Sequence, residues 1–241
     1  IHADFIPPAA EIKAAYDEGE VLPIDLHDGS RVLLRKIAKD YVAGNRGAAL
    51  SVDAANGTLL TSFWGVPRPG EMGYDTWGGA PEASLTGATP WIHPAIDPAL
   101  NMVYWTFGNT RGGSSQNGST RPGTNLFANS IVALDLKTGE YKWHFQSVHH
   151  DIWDMDNVMS PVLADVKIHG RDRQVVIYGS KTGMYYILDR HDGSAPLGID
   201  EVPVKQDARQ KSWPTQPFPR QGAWTETCVI DQPLGTAIPG D

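Results

Sequence analysis

Cysteine is almost absent: one residue, Cys228, stands in 241. That excludes an internal disulfide and any cysteine-built zinc cluster. Basic charge is also short. Twenty lysines and arginines face 28 aspartates and glutamates, for a formal charge of −8. A chain of that sign lacks the basic footprint needed to grip nucleic-acid phosphates or an anionic membrane surface. No apolar run approaches the ~18 residues of a membrane span, so no transmembrane segment is expected. A secretory leader pattern is missing too, and the chain begins at Ile1 rather than Met. The expectation is an N-terminal segment removed or never captured, with the compartment open on composition alone.

What is present points to a folded, strand-rich chain. Apolar residues make up 41%, enough for a core in one large domain or two modest ones. The 25 glycines and 18 prolines exceed a usual combined share of roughly 12% and suggest short strands punctuated by turns. Residues 1–30 read differently from the rest, with a turn at Phe5–Pro8 and a short helix expected over Ala9–Glu18. From Arg31 onward strands and turns alternate. Ala49–Asp53 and Thr58–Trp64 flank an Ala-Ala-Asn-Gly hairpin signal, and Ser130–Leu136 and Glu140–Val148 flank Lys-Thr-Gly. Met102–Phe107, Pro161–Ile168, Gln174–Gly179 and Met184–Asp189 continue the series. The strands recur too closely for βαβ crossovers, so an antiparallel all-β fold is expected.

A weak repeat supports this. Ser51–Gly57, Ala133–Gly139 and Ile187–Gly193 share a frame in which Leu or Val is followed by Asp-x-x-x-Gly. Each copy puts an Asp at a strand end and a Gly where a turn needs positive φ. The second copy runs on to Trp143. A strand–turn–strand unit with a late Trp suits radial stacking in a propeller, the Trp wedging between blades. Common hairpin chemistry recurring by chance is the alternative.

Val148–Asp156 is the densest ionisable stretch, with two histidines and three aspartates. In an extended segment alternate residues face opposite ways, so its members cannot all converge on one ion. From the residues alone it reads as a metal site, a solvated loop or the seat of a catalytic carboxylate.

From Ala133–Trp143 through that segment, the sequence resembles the pyrroloquinoline-quinone (PQQ) dependent dehydrogenases, whose Ala-x-Asp-x-x-Thr-Gly-x-x-x-Trp unit docks the blades of an eight-bladed propeller. The resemblance covers about residues 44–220 and consists of several motifs in the family's order. It implies an all-β partial propeller of about four antiparallel four-stranded blades. Residues 1–43 would form an N-terminal segment with an incomplete blade, 44–220 the blades carrying the site, and 221–241 the start of a further blade. His-Asp-x-Trp-Asp is similar to the family's active-site loop, which implies Asp154 as the general base. Such a carboxylate works best partly desolvated. Lys181 matches a cation beside the quinone oxygens, where it stabilises developing negative charge. Gly87–Trp91 and Phe107–Asn109 resemble the cofactor floor, with Trp91 stacking under the rings, Thr89 a hydroxyl donor and Asn109 a metal ligand. Asp154 joins the metal set, and Asp156 sits where some members add a carboxylate for a lanthanide. The implied cofactors are PQQ and Ca²⁺, alternatively a lanthanide or Mg²⁺. The implied substrate is an alcohol, polyol or sugar, the electron acceptor a cytochrome or ubiquinone, and the location periplasmic.

Departures accompany the matches. Val42 stands where the family's metal-binding Glu falls, before Arg46-Gly47, and Asp40 could serve only in a shifted loop. The family's adjacent-cysteine disulfide is absent, and so is a Cys-x-x-Cys-His haem site. The length matches roughly half a propeller, so we expect a piece of a longer enzyme or completion by another chain. Phe63–Gly79 resembles soluble alcohol dehydrogenases, whereas Val148–Asp156, Glu201–Lys205 and Pro214–Pro219 look more like membrane-bound glucose and quinate dehydrogenases. A non-catalytic propeller scaffold is the competing reading, and a His/Asp metallohydrolase on His149-His150-Asp151 a distant third.

Overall fold

The computed structural model describes residues 21–25, 31–37, 47–53, 59–110, 118–206, 208 and 212–223. The expected helix at Ala9–Glu18, the hairpin turn before Thr58, Val42 and Cys228 lie outside the described residues. Within them the strands form four antiparallel sheets. The first joins β1 (Val21–Asp25), β2 (Arg31–Ile37), β3 (Ala48–Asp53) and β4 (Leu59–Trp64) in sequence order. The second repeats that order with β5 (Ala95–Asp97), β6 (Met102–Thr106), β7 (Ser130–Asp135) and β8 (Tyr141–Gln146). The third contains β9 (Val162–Ile168), β10 (Arg171–Gly179) and β11 (Tyr185–Asp189), and β12 (Ile199–Pro203) pairs with β13 (Thr215–Pro219). No α-helix occurs among the described residues; Tyr74–Trp77 and Glu82–Ser84 are short 3-10 turns. Sequential antiparallel sheets of this kind are propeller blades, as the sequence implied.

Among the described residues the four-stranded pattern is met in full by the first two sheets only. The β12–β13 hairpin carries Pro203, Pro217 and Pro219, which have no N–H to extend a ladder. After it the chain returns to the third sheet, where Ala223 bridges Met184 and Gln221 Nε2 donates to the Tyr185 carbonyl at 3.1 Å.

The second sheet is buried on both faces. Every residue of β6 is buried, and strand alternation divides them. Val103 and Trp105 pack toward the first sheet with Ala49, Phe107 and Phe63, while Met102 and Tyr104 pack toward the third with Tyr178 and Leu188. Trp143 joins that second cluster, wedged between blades as its position in the repeat suggested.

The repeated glycine has a physical reason beyond its turn. Gly139 and Gly193 adopt φ of 67° and 73°, which a side chain resists. A Cβ on Gly193 would meet the Trp143 ring at 2.6 Å, and one on Gly139 would meet Thr61 Cγ2 at 1.8 Å. Trp143 and Thr61 occupy equivalent places in successive copies, so each unit's turn is seated on the outer strand of the blade before it. Arg190 adds a polar lock. Its guanidinium bonds Asp97 at 2.7 Å and also Asp165, and its carbonyl accepts from Tyr104 Oη and Trp143 Nε1 at 3.0 and 3.1 Å.

Candidate functional site

Four connections emerge at one end of the second and third sheets. Gly87–Trp91 leads toward β5, and Phe107–Thr110 follows β6. Gly87 bridges Thr110, and Gly108 N–H donates to the Thr89 carbonyl at 3.0 Å. His149–Asn157 leads toward β9, and Ser180–Thr182 follows β10. Asn157 bridges Ser180, and Lys181 N–H donates to the Asp156 carbonyl at 3.0 Å. In antiparallel neighbours the start of one strand meets the end of the next, so topology alone gathers these distant segments.

Side chains then join the two sheets. Lys181 Nζ donates to Asp154 Oδ2 at 2.9 Å and to Asp156 Oδ2 at 2.8 Å. Asn109 Nδ2 donates to Asp154 Oδ1 at 2.6 Å, and its backbone N–H to Asp156 Oδ1 at 2.7 Å. All four carboxylate oxygens therefore accept from Asn109 or Lys181. Trp91 completes the group through Gly108, where an added Cβ would meet Asp156 Oδ1 at 2.7 Å and Trp91 Nε1 at 2.9 Å. Only a glycine lets indole and carboxylate close on the same backbone. Thr89 enters by its carbonyl, as above. The structure thus brings together Trp91, Asn109, Asp154, Asp156 and Lys181, with Thr89 beside them.

The two carboxylates differ in setting. Asp154 sits at φ 64°, a left-handed backbone that Asp and Asn tolerate better than most residues. Its side chain is 67% exposed, whereas that of Asp156 is 12% exposed. The partial desolvation expected of Asp154 is therefore not supplied by the described residues. Burial pulls the Lys181 pKa down, but hydrogen bonds and charge from Asp156 and Asp154 more than reverse it, and its ammonium sits above the ordinary lysine value. Among the described residues no three His, Cys, Asp or Glu side chains form a metal-binding group. The two carboxylates, and the Asn109 amide oxygen once that amide turns its oxygen rather than its Nδ2 toward them, are hard oxygen ligands of the kind Ca²⁺ takes. By donor type they fit such a cation.

Beneath the loop lies a polar tier, in which His150 and Asp151, candidate ligands in the sequence, serve as anchors. Asp151 is buried. Its carboxylate accepts from Trp153 N–H at 2.8 Å, Met155 N–H at 2.7 Å and Asn129 Nδ2 at 3.0 Å. Arg121, also buried, donates to the Asp151 carbonyl at 2.6 Å and to Asn125 Oδ1 at 2.5 Å. Burial lowers the Arg121 pKa to about 10, and the charge of Asp151 opposes that. His150 Nδ1 bonds the Gly123 carbonyl at 2.6 Å, and burial lowers its pKa. The loop that carries Asp154 is thus anchored through the residues just before it. The available sequence signal was slight: Asn125 and Asn129, both at positive φ, are turn formers.

Comparison with known proteins gives this geometry a context. Residues 29–233 match the PQQ family described as glucose/ethanol/alcohol dehydrogenase, beta-propeller domain. The quinoprotein glucose dehydrogenase of Escherichia coli (strain K12) is 35% identical over 177 residues, 71% of this chain and 21% of that protein. The quinohemoprotein alcohol dehydrogenase of Comamonas testosteroni is 33% identical over 185 residues, 72% of this chain and 26% of that protein. Its crystal structure superposes with a TM-score of 0.60 at 30% identity, covering 78% of this chain and 30% of that one. A europium-containing methanol dehydrogenase shares the fold, with a TM-score of 0.61 at 22% identity over 80% of this chain and 36% of that one. The chain spans about a quarter of the length of these curated relatives.

Proposed function

Because this chain belongs to the PQQ-dependent glucose/ethanol/alcohol dehydrogenase β-propeller family, we propose that it serves PQQ- and metal-dependent oxidation of an alcohol, polyol or sugar. The observation that carries this reading is the junction of Asn109 and Lys181 on the paired carboxylates of Asp154 and Asp156. When PQQ and a hard cation are bound, they supply a quinone that accepts hydride and a Lewis acid that polarises it.

The residues of this chain take the remaining roles. Asp154 accepts the substrate O–H proton as hydride leaves the adjacent carbon, so the alcohol becomes a carbonyl and both electrons leave with the hydride. Lys181 presents a fixed ammonium, and such a charge stabilises oxygens that become negative. Trp91, 41% exposed, offers its indole face for stacking against a planar ring system, with Thr89 next to it. Asn109, Asp154 and Asp156 would hold the cation, which we take as Ca²⁺, with a lanthanide or Mg²⁺ as the alternatives. An electron acceptor, a cytochrome or ubiquinone, and a periplasmic location complete the proposal. A non-catalytic scaffold has no physical use for these groups converging.

The test reconstitutes the complete protein with PQQ and Ca²⁺ and follows reduction of an artificial acceptor dye by alcohols and sugars. Asp154→Asn should abolish dye reduction while PQQ still binds. Equal rates in wild type and variant would remove Asp154 as the base.

A further inference from the structure

The start of the active-site loop is held by a hairpin outside the sheet it leads into. His149 opens the loop, and Gln216 of β13 brackets its peptide unit. Gln216 Oε1 accepts the His149 N–H at 2.8 Å, and Gln216 Nε2 donates to the His149 carbonyl at 2.9 Å. A backbone N–H can only donate, so the orientation of this amide is fixed, and the pair mimics one rung of a sheet. Gln216 is buried, where losing such a rung strands two polar groups.

The His149 ring is held just as definitely. Gln146 Nε2 donates to the carbonyls of Thr124 and Ala128 at 2.8 and 3.0 Å. Its Oε1 therefore faces His149 Nδ1, at 2.6 Å. On the other side of the ring Nε2 lies 3.0 Å from Glu201 Oε1, in β12. Both partners are acceptors and face the ring from opposite sides. The ring is thus pinned between its own blade and the proline-bearing hairpin.

We propose that His149 is a positioning residue: with Gln216 and Glu201 it docks the β12–β13 hairpin onto the loop and sets the place from which Asp154 works. The excursion of β12–β13 out of the third sheet then has a purpose, which is to buttress the site. The loop is also tied at His150, Asp151, Asp154 and Asp156, and His149 holds its start against the hairpin. Removing one tie leaves the fold but lets the base drift, and a misplacement of about 1 Å costs a reaction on the order of 100-fold.

This inference rests on the dehydrogenase reading, and the experiment separates the two. In the complete protein loaded with PQQ and Ca²⁺, Gln216→Ala should lower kcat on the order of 10- to 100-fold while PQQ affinity changes less than about twofold. Gln216→Glu, which keeps the acceptor for the His149 N–H and loses the donor, should fall between. Glu201→Gln, a change at an exposed position, should keep the fold and lower kcat less than Gln216→Ala. Amide hydrogen exchange across 149–155 should quicken in Gln216→Ala. Unchanged exchange, or kcat unchanged in Gln216→Ala, overturns the clamp. So does loss of kcat and PQQ binding in parallel, which marks general unfolding. If exchange quickens in Gln216→Ala but the wild type oxidises no alcohol or sugar, the clamp stands and the dehydrogenase reading fails.

Discussion

Replacing Asp151 by Asn tests whether the buried tier under the loop is a carboxylate site. Asp151 is 2% exposed. Burial pushes its pKa up, the bonds from Trp153, Met155 and Asn129 pull it down, and the charge of Asp156 adds to the rise. The result is about 6 against an ordinary 3.8. A raised folded-state value means that the folded protein holds this proton more tightly than the unfolded chain. The stability so contributed is complete below about 3.8 and is lost as pH rises through about 6. Roughly two pKa units at about 1.4 kcal/mol each make about 3 kcal/mol. Other carboxylates slope the opposite way. Burial raises Asp135, but bonds from Thr138, Lys137 and Asn101 outweigh it, and its pKa is lowered. Such terms cancel in the difference between wild type and Asp151→Asn. The Asn side chain must also turn its NH₂ toward one of three N–H donors, an offset that does not vary with pH. Urea unfolding of both proteins should therefore show the variant gaining about 2 kcal/mol on wild type between pH 4 and pH 7, the rest of the change falling below pH 4. Parallel profiles would refute the argument and make Asp151 an ordinary loop cap.

Four further changes probe the blade docking and the site. Gly193→Ala must place a methyl against Trp143 from a left-handed backbone, and we expect about 2–4 kcal/mol lost in chemical denaturation; a neutral effect would show that the turn does not seat on the Trp. Asp97→Ala leaves the Arg190 guanidinium buried with only the exposed Asp165 as counter-charge, and should cost about 3 kcal/mol, whereas Asp165→Ala should cost under about 1 kcal/mol. Lys181→Ala leaves Asp154 and Asp156 facing each other without an ammonium between them. Turnover and PQQ affinity should each fall on the order of 10-fold or more, and a fully active variant would return Lys181 to a turn-forming role.

Most inner strands were legible because their pairing is local, whereas β1, β5, β12 and β13 were not named. Each strand pairs with its sequence neighbour, and β-branched and aromatic runs between glycine turns mark them. The repeated Gly was legible as a turn, but its second reason, contact with the preceding blade at Thr61 and Trp143, needs coordinates. The third sheet's interruption was not foreseen, although its cause is written in the prolines of β12 and β13. At the site, the resemblance named Trp91, Asn109, Asp154, Asp156 and Lys181, and the fold gathers them. Arg121, Asn129 and Gln216 escaped notice, and Asp151 was read only as a candidate ligand, because buried polar networks have no period. Each partner is chosen by a three-dimensional neighbour far along the chain, and the residue types are those of any surface loop. Exposure escaped for the same reason, since the openness of Asp154 depends on what surrounds it.

The arrangement ties core packing to chemistry. Trp91 and Asn109 ride on connections of the second sheet, whereas Asp154, Asp156 and Lys181 ride on those of the third. Their hydrogen bonds of 2.6–2.9 Å persist only while the two sheets keep one relative position. That position is set elsewhere, by Trp143 against Gly193 and by Arg190 against Asp97. Hydrogen bonds hold only within a limited range of length and angle, while close-packed cores shift in discrete steps rather than deforming smoothly. A blade contact that slips should therefore disconnect Asn109 from both carboxylates at once, and Lys181, which shares their sheet, would stay attached to them.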